Sequence, residues 1–400
     1  MTELIKAETP VYGGYVISRG QGVIFVKGAV PGEVVEVSID EKKRDFSLAS
    51  VKEVIEPSPD RVEPECPYFG DCGGCQLQYI SYEKQVSMKN DILLDCLRRI
   101  GGIEVETLPP LTGGNFRYRI RGQFKVSNHG KMGFFRESTR DVVDIRECPL
   151  MADGLNEMFK KTRSANLKGI REIHITLGDK AVVLIKGRGF DEKTAGEFAD
   201  MGFAGVAFEE GSYRGAGFVV LSLMGLAYTV SPWSFIQSNW ELNIKIAGLI
   251  KEGLLPLEGK TVLDLYAGGG NFTLPMSDEA AEIMAVEENP DSVKDGQRNI
   301  SINKIKNYRF VKARAEKLKI KTAIDIIIVD PPRPGLTTSA IETILGVSPG
   351  RLVYVSCNPS TLARDLKKLC GKYTIDSIRA VDSFPNTYHI ESVTFLTLRP

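Results

Sequence analysis

The chain has 400 residues, of which 42% are hydrophobic and 26% charged, and its 51 basic and 51 acidic side chains cancel. That length exceeds one ordinary core and predicts two or three domains. No apolar run is long enough to span a membrane, and MTELIKAETP lacks the apolar stretch of a signal peptide, so a cytoplasmic protein with no membrane role is expected. Seven cysteines in a reducing compartment point to metal binding or catalysis rather than disulfides. A neutral total neither favours nor excludes nucleic acid, because basic patches can be local.

Residues 1–58 alternate short β-rich runs with Gly and Pro, and four or five strands at this spacing predict a small barrel. Lys27, Lys42, Lys43 and Arg44 leave it a basic edge. The stretch YGGYVISRGQGVIFVKGAVPGEVV resembles a TRAM domain, the OB-like module of several RNA-modifying enzymes. That resemblance implies a module for holding RNA; a structural appendage is the alternative.

A linker rich in Pro and acidic residues, EPSPDRVEPE, leads to CPYFGDCGGCQLQ, where Cys66, Cys72 and Cys75 form a C-x5-C-x2-C array. Three thiolates need a fourth partner. Cys96 lies inside the helical pattern SYEKQVSMKNDILLDCLRRI amid Leu93, Leu94, Leu97 and Ile100 and reads as core, so Cys148 in IRECPLM is chosen. Three clustered cysteines and one distant one suit a [4Fe-4S] cluster better than zinc, which usually takes paired doublets; zinc and a chance set of buried cysteines are the other readings. Residues 59–224 are expected to form an α+β domain around this array, with the helix near 81–100 packing on the next domain. Arg117, Arg119, Arg121 and Lys125 fall on alternate positions of one expected strand, a face suited to a phosphate backbone. His129 and His174 receive no role.

From 225 to 400 strands and helices alternate as in a Rossmann-like, doubly wound α/β fold. TVLDLYAGGGNFTLPM reads as a strand, a turn with Gly268, Gly269 and Gly270, and then a helix, so that a ligand can approach backbone at a helix N-terminus. Glu287 ends the next strand about twenty residues on, where an acidic group accepts hydrogen bonds from ribose hydroxyls. Seven strands without a second nucleotide-binding half favour a class I S-adenosylmethionine (SAM) methyltransferase sheet over a dinucleotide one. Asp330 ends a strand just before Pro331 and Pro332, which aims it at the cleft or makes it a helix cap.

Val353, Tyr354 and Val355 form a buried strand that stops at Ser356, Cys357, Asn358 and Pro359 before another helical pattern. Cys357 therefore stands on a strand-to-helix turn at the carboxyl edge of the sheet, where ligands bind. A buried free thiol is the alternative.

SCNPSTLARDL, DPPRPG, DLYAGGGNFTLP, SFIQSNWELN, the cysteine array and HIESVTFL together resemble the RNA uridine C5 methyltransferases, and among them the TRAM-containing, iron–sulfur subgroup typified by 23S ribosomal RNA enzymes. The resemblance implies SAM-dependent formation of 5-methyluridine in RNA during rRNA processing. It makes Cys357 the nucleophile that adds to uracil C6, and Glu391 the general base that removes the C5 proton, with His389 the competing base. It assigns Gln237, Tyr266, Glu287 and Asp330 to SAM, with Asn271 as an addition, and leaves a contact at Arg314 in doubt. It also implies single-stranded or flipped-out uridine as the target and a monomeric enzyme. Transfer RNA as substrate, cytosine C5 methylation and a nonenzymatic RNA-binding protein are the alternatives.

Overall fold

The computed structural model describes residues 2–20, 22–318, 320 and 322–400. The first sheet has six strands, in the order Thr2–Lys6, Val34–Lys42, Ser47–Glu56, Ile24–Lys27, Tyr15–Ser18 and Thr9–Val11. Alternation along Ile24–Lys27 buries Ile24 and Val26 against Val16, Val35, Val37 and Ala49. Six strands replace the expected four or five because the short Thr9–Val11 and the charged Thr2–Lys6 are held by pairing, and carry little pattern of their own. Two of the expected basic residues are engaged: Lys27 pairs with Glu137 and Lys43 with Glu41.

The middle of the chain forms a seven-stranded sheet from Arg121–Val126 to Tyr213–Gly215, covered by helices Asp153–Thr162 and Glu192–Asp200. Phe124, Phe159, Phe198 and Phe208 fill the core between them. The basic stripe expected here does not exist as one face. The strand begins only at Arg121, and Arg117 before it takes a positive φ of 56°. Arg117 pairs with Asp153, Arg121 turns inward to the carbonyls of Ser234 and Pro232, and Lys125 pairs with Glu172.

The third sheet has eight strands: Tyr308–Lys312, Glu282–Glu287, Thr261–Leu265, Ile326–Val329, Arg351–Ser356, Glu391–Leu398, Tyr373–Val381 and Leu108–Leu111. The first five are parallel, and Glu391–Leu398 runs against both of its neighbours. Leu108–Leu111 comes from the middle of the chain and adds the eighth strand beside Tyr373–Val381. Its two prolines sit at the sheet edge, where a missing N–H is tolerated. Helix Tyr82–Cys96 also packs on this sheet's layer: Leu93, Cys96 and Leu97 share a core with Leu362, Ala363 and Leu366.

The helix expected after the glycine turn is absent. Only a 3-10 turn, Leu274–Met276, follows, because Gly268 and Gly270 take positive φ and Pro275 cannot donate to a longer ladder. The turn therefore brings backbone close to a ligand without the dipole of an α-helix.

Candidate active site and cysteine pocket

Sheet register assembles the site. Leu265 pairs with Val286 on one side and Val329 on the other, so the residues that follow, Tyr266, Glu287 and Asp330, emerge side by side at the carboxyl edge. Ser356 pairs with Ser392 of the antiparallel strand, which brings Cys357 level with Glu391. Only a strand running in reverse puts its first residue at this edge. Asn358 then caps helix Pro359–Leu369, its side chain accepting from the amides of Ser360 (3.0 Å) and Thr361 (3.4 Å), so Cys357 lies at the positive end of that helix.

These residues line one cavity of about 630 Å³ together with Gln237 and Asn271. All seven predicted cofactor and catalytic side chains thus meet in one place. On the cofactor side, Glu287 accepts from the amides of Gly268 (3.0 Å) and Asn289 (2.7 Å), which fixes its carboxylate while leaving lone pairs for a ligand. A Cβ at Gly268 would meet nothing within 4 Å, whereas one at Gly269 would strike Tyr228 Oη at 2.7 Å. Tyr266 holds a positive φ of 64°, a strained conformation at the wall of the cavity, and its hydroxyl donates to Glu316. Asn271 is tied to Asn243 by two amide hydrogen bonds of 2.8 and 2.7 Å, so less of it is free than of Gln237, whose amide bonds to none of the described residues. Arg314 pairs with Glu288 at 2.9 Å.

On the catalytic side, burial pushes the Cys357 thiol up to about 11, and the charges of Glu391 and Asp330 add to this while Arg333 opposes it. Burial likewise raises Glu391 to about 7, against the Ser383 hydroxyl that donates to it. Asp330 is raised well above the usual carboxylate range by its surroundings and by Glu391. His389 is lowered to about 4 by burial and by Arg333, whose guanidinium donates to its Nε2 at 3.2 Å. Arg333 and Phe235 were missed as site residues. Both stand inside the motifs DPPRPG and SFIQSNW, and Phe235 is 71% exposed while lining the cavity.

Cys66, Cys72, Cys75 and Cys148 line a second, smaller cavity of about 40 Å³. Gly73 permits the tight approach, since a Cβ there would lie 2.9 Å from the Phe135 carbonyl. Cys148 is clamped through its backbone by Asn156, which donates to its carbonyl and accepts from its amide. Burial raises the Cys75 thiol to about 12 and Cys148 to about 11. Gln78, whose side chain faces the Cys75 thiol, and Arg119, whose buried Nε has no partner among the described residues, line the same cavity. Among those residues no three metal-binding side chains converge closely enough to hold a single metal ion. Arg119 also lines the large cavity, so one side chain borders both.

No helix among the described residues is long and apolar enough to cross a membrane. Comparison with known proteins agrees with this architecture. Residues 222–399 match the model of the tRNA (Uracil-5-)-methyltransferase family. An RNA methyltransferase of Aquifex aeolicus is 35% identical across 99% of this chain and 98% of its own length. The 23S rRNA (uracil(1939)-C(5))-methyltransferase RlmD of Methylococcus capsulatus is 33% identical across 93% of this chain and 91% of its own. Among solved structures, the Pyrococcus abyssi tRNA (uracil-54, C5)-methyltransferase in complex with S-adenosyl-L-homocysteine superposes with a TM-score of 0.77 at 26% identity, covering 99% of this chain and all of the other. With the catalytic sheet and its cavity in place, these likenesses establish that the chain belongs to the RNA uracil-C5 methyltransferases, the SAM-dependent enzymes that methylate carbon 5 of uracil in RNA.

Proposed function

We propose that the protein methylates a uridine of 23S ribosomal RNA, with Cys357 as nucleophile and Glu391 as general base. The observation that carries the reading is the register that sets Cys357 level with Glu391 beside Asp330. Carbon 5 of uracil is a weak nucleophile. Cys357 gives up its thiol proton to solvent and adds as the thiolate to C6, forming the S–C6 bond and moving the C5=C6 electrons onto the C5 side as an enolate. SAM supplies the electrophilic methyl group. Glu391 then takes the C5 proton, the C5–H electrons restore C5=C6, and the C6–S bond breaks to return the thiolate to Cys357. His389, held neutral and occupied by Arg333, is the poorer proton acceptor. Gln237, Tyr266, Glu287 and Asp330 bind the cofactor, with Asn271 in support, and Asp330 also faces the uracil. A base stacked in a duplex cannot reach a half-buried cysteine in the wall of a cavity, so the target is single-stranded or extruded.

In the same reading the four clustered cysteines hold a [4Fe-4S] cluster that shapes the RNA-binding surface. Four thiols lining one small cavity, with Gln78 and Arg119 beside them, suit a group with several irons and sulfide acceptors. Residues 1–58 act as the TRAM module, 59–224 carry the cluster, and 225–400 carry the chemistry, as a cytoplasmic monomer. Ribosomal RNA is favoured over transfer RNA because the likeness to the 23S enzyme, at 33% identity, exceeds that to the archaeal tRNA enzyme, at 26%. Mapping 5-methyluridine in 23S and transfer RNA from a deletion strain tests this. Loss confined to transfer RNA would overturn the substrate assignment.

A further inference from the structure

Lys89 belongs to helix Tyr82–Cys96, outside the catalytic segment, yet it is 3% exposed and reaches the chain just past strand Tyr373–Val381 of the catalytic sheet. Its ammonium donates to Asp382 at 2.6 Å and to the Phe384 carbonyl at 3.0 Å. Those two residues flank Ser383, whose hydroxyl donates to Glu391. One buried cation therefore grips the chain on both sides of the only side chain that bonds Glu391 among the described residues. The ammonium holds Asp382 through Oδ1, Oδ2 has no hydrogen-bond partner there, and Tyr82 of the same helix also faces this carboxylate. A buried charge pair is weak as a device for stability, because desolvation offsets most of the attraction, and this one joins segments nearly three hundred residues apart. The groups facing Glu391 from the surrounding elements are Ser383, Asp382, Lys89, Asp330 and Cys357.

We propose that Lys89 is a positioning residue for the elimination step, holding Ser383 in place so that Glu391 is aimed at the C5 proton. The inference rests on the reading of Glu391 as general base. Lys89 touches neither cofactor nor substrate. Its loss would spare nucleophilic addition and methyl transfer, and would stall release of the product.

The test uses the full-length protein, labelled SAM and RNA carrying ordinary uridine, with SDS-stable protein–RNA adduct read beside turnover. Glu391→Gln sets the standard: methyl label trapped in the adduct. Lys89→Met and Ser383→Ala should each trap labelled adduct and lower turnover at least tenfold, while binding S-adenosyl-L-homocysteine within about twofold of wild type. If Lys89→Met fails to bind S-adenosyl-L-homocysteine, the doubly neutral Lys89→Met/Asp382→Asn, which leaves no lone buried charge, takes its place. Turnover like wild type, or slow turnover without trapped label, in the folded Lys89 variant would overturn the proposal. Absence of trapped label in Glu391→Gln itself would instead overturn the assignment of the base.

Discussion

The two thiol sites of this protein share one perturbation and differ in everything else. Burial raises the Cys357 thiol to about 11 and the Cys75 thiol to about 12. Cys357 opens onto about 630 Å³ of space, at a helix N-terminus, with two carboxyls and Arg333 for neighbours. Cys75 faces about 40 Å³ shared with three other cysteines, Gln78 and Arg119. Room and neighbours, rather than thiol acidity, separate a site for a planar organic substrate from one for a compact inorganic group.

The largest expected effect comes from removing the reactive thiol. Cys357→Ala should lower turnover by on the order of 10⁴-fold and abolish covalent trapping of 5-fluorouridine RNA, with S-adenosyl-L-homocysteine affinity and iron content both kept. Measurable turnover near wild type would remove Cys357 from the mechanism. Glu391→Gln should cost about 10²–10⁴-fold in turnover. In the wild-type protein the base must be ionised, so turnover should climb as pH rises through about 7, and a pH profile flat across that range would contradict the role.

Cys75→Ser sharpens the contrast from the other side. Iron content and visible iron–sulfur absorbance should be lost and the thermal midpoint should fall, while binding of S-adenosyl-L-homocysteine by the catalytic sheet persists; full iron retention would strike Cys75 from the ligand set. Glu287→Gln should weaken S-adenosyl-L-homocysteine about tenfold, or about 1.4 kcal/mol, by calorimetry. Asn271→Ala should do less, because Asn243 already engages that amide.

A smaller effect concerns stability. A carboxyl raised on folding favours the native state at low pH and loses that contribution as pH rises from its unfolded value toward about 7. Glu391→Gln should therefore be more stable than wild type at pH 8, by on the order of 1 kcal/mol, with the gain vanishing below about pH 4. Urea melts at the two pH values check the sign.

Much of the catalytic segment was readable from residue order alone. Apolar runs ending in glycine, acidic or cysteine residues mark strands whose tips carry chemistry, because in a parallel sheet every carboxyl end lies at one edge. The same logic picked out Glu287, Asp330 and Cys357. It misjudged the glycine turn, where Pro275 leaves only a 3-10 turn, and the arginine stripe, where Arg117 leaves the strand and Arg121 turns inward.

Other features were decided by tertiary structure. The level of Glu391 opposite Cys357 depends on an antiparallel register that no local pattern encodes. The shared cavity of Cys148 with the C-x5-C-x2-C array, the eighth strand from residues 108–111, and the reach of Lys89 to Asp382 all join segments distant in the chain. Local sequence determines which residues lie at strand ends and turns, since backbone propensity and side-chain period act over a few positions. Which of those ends face one another is set by packing and pairing across long loops, and that is where Glu391 came level with Cys357 and a remote lysine came to lie behind that carboxyl.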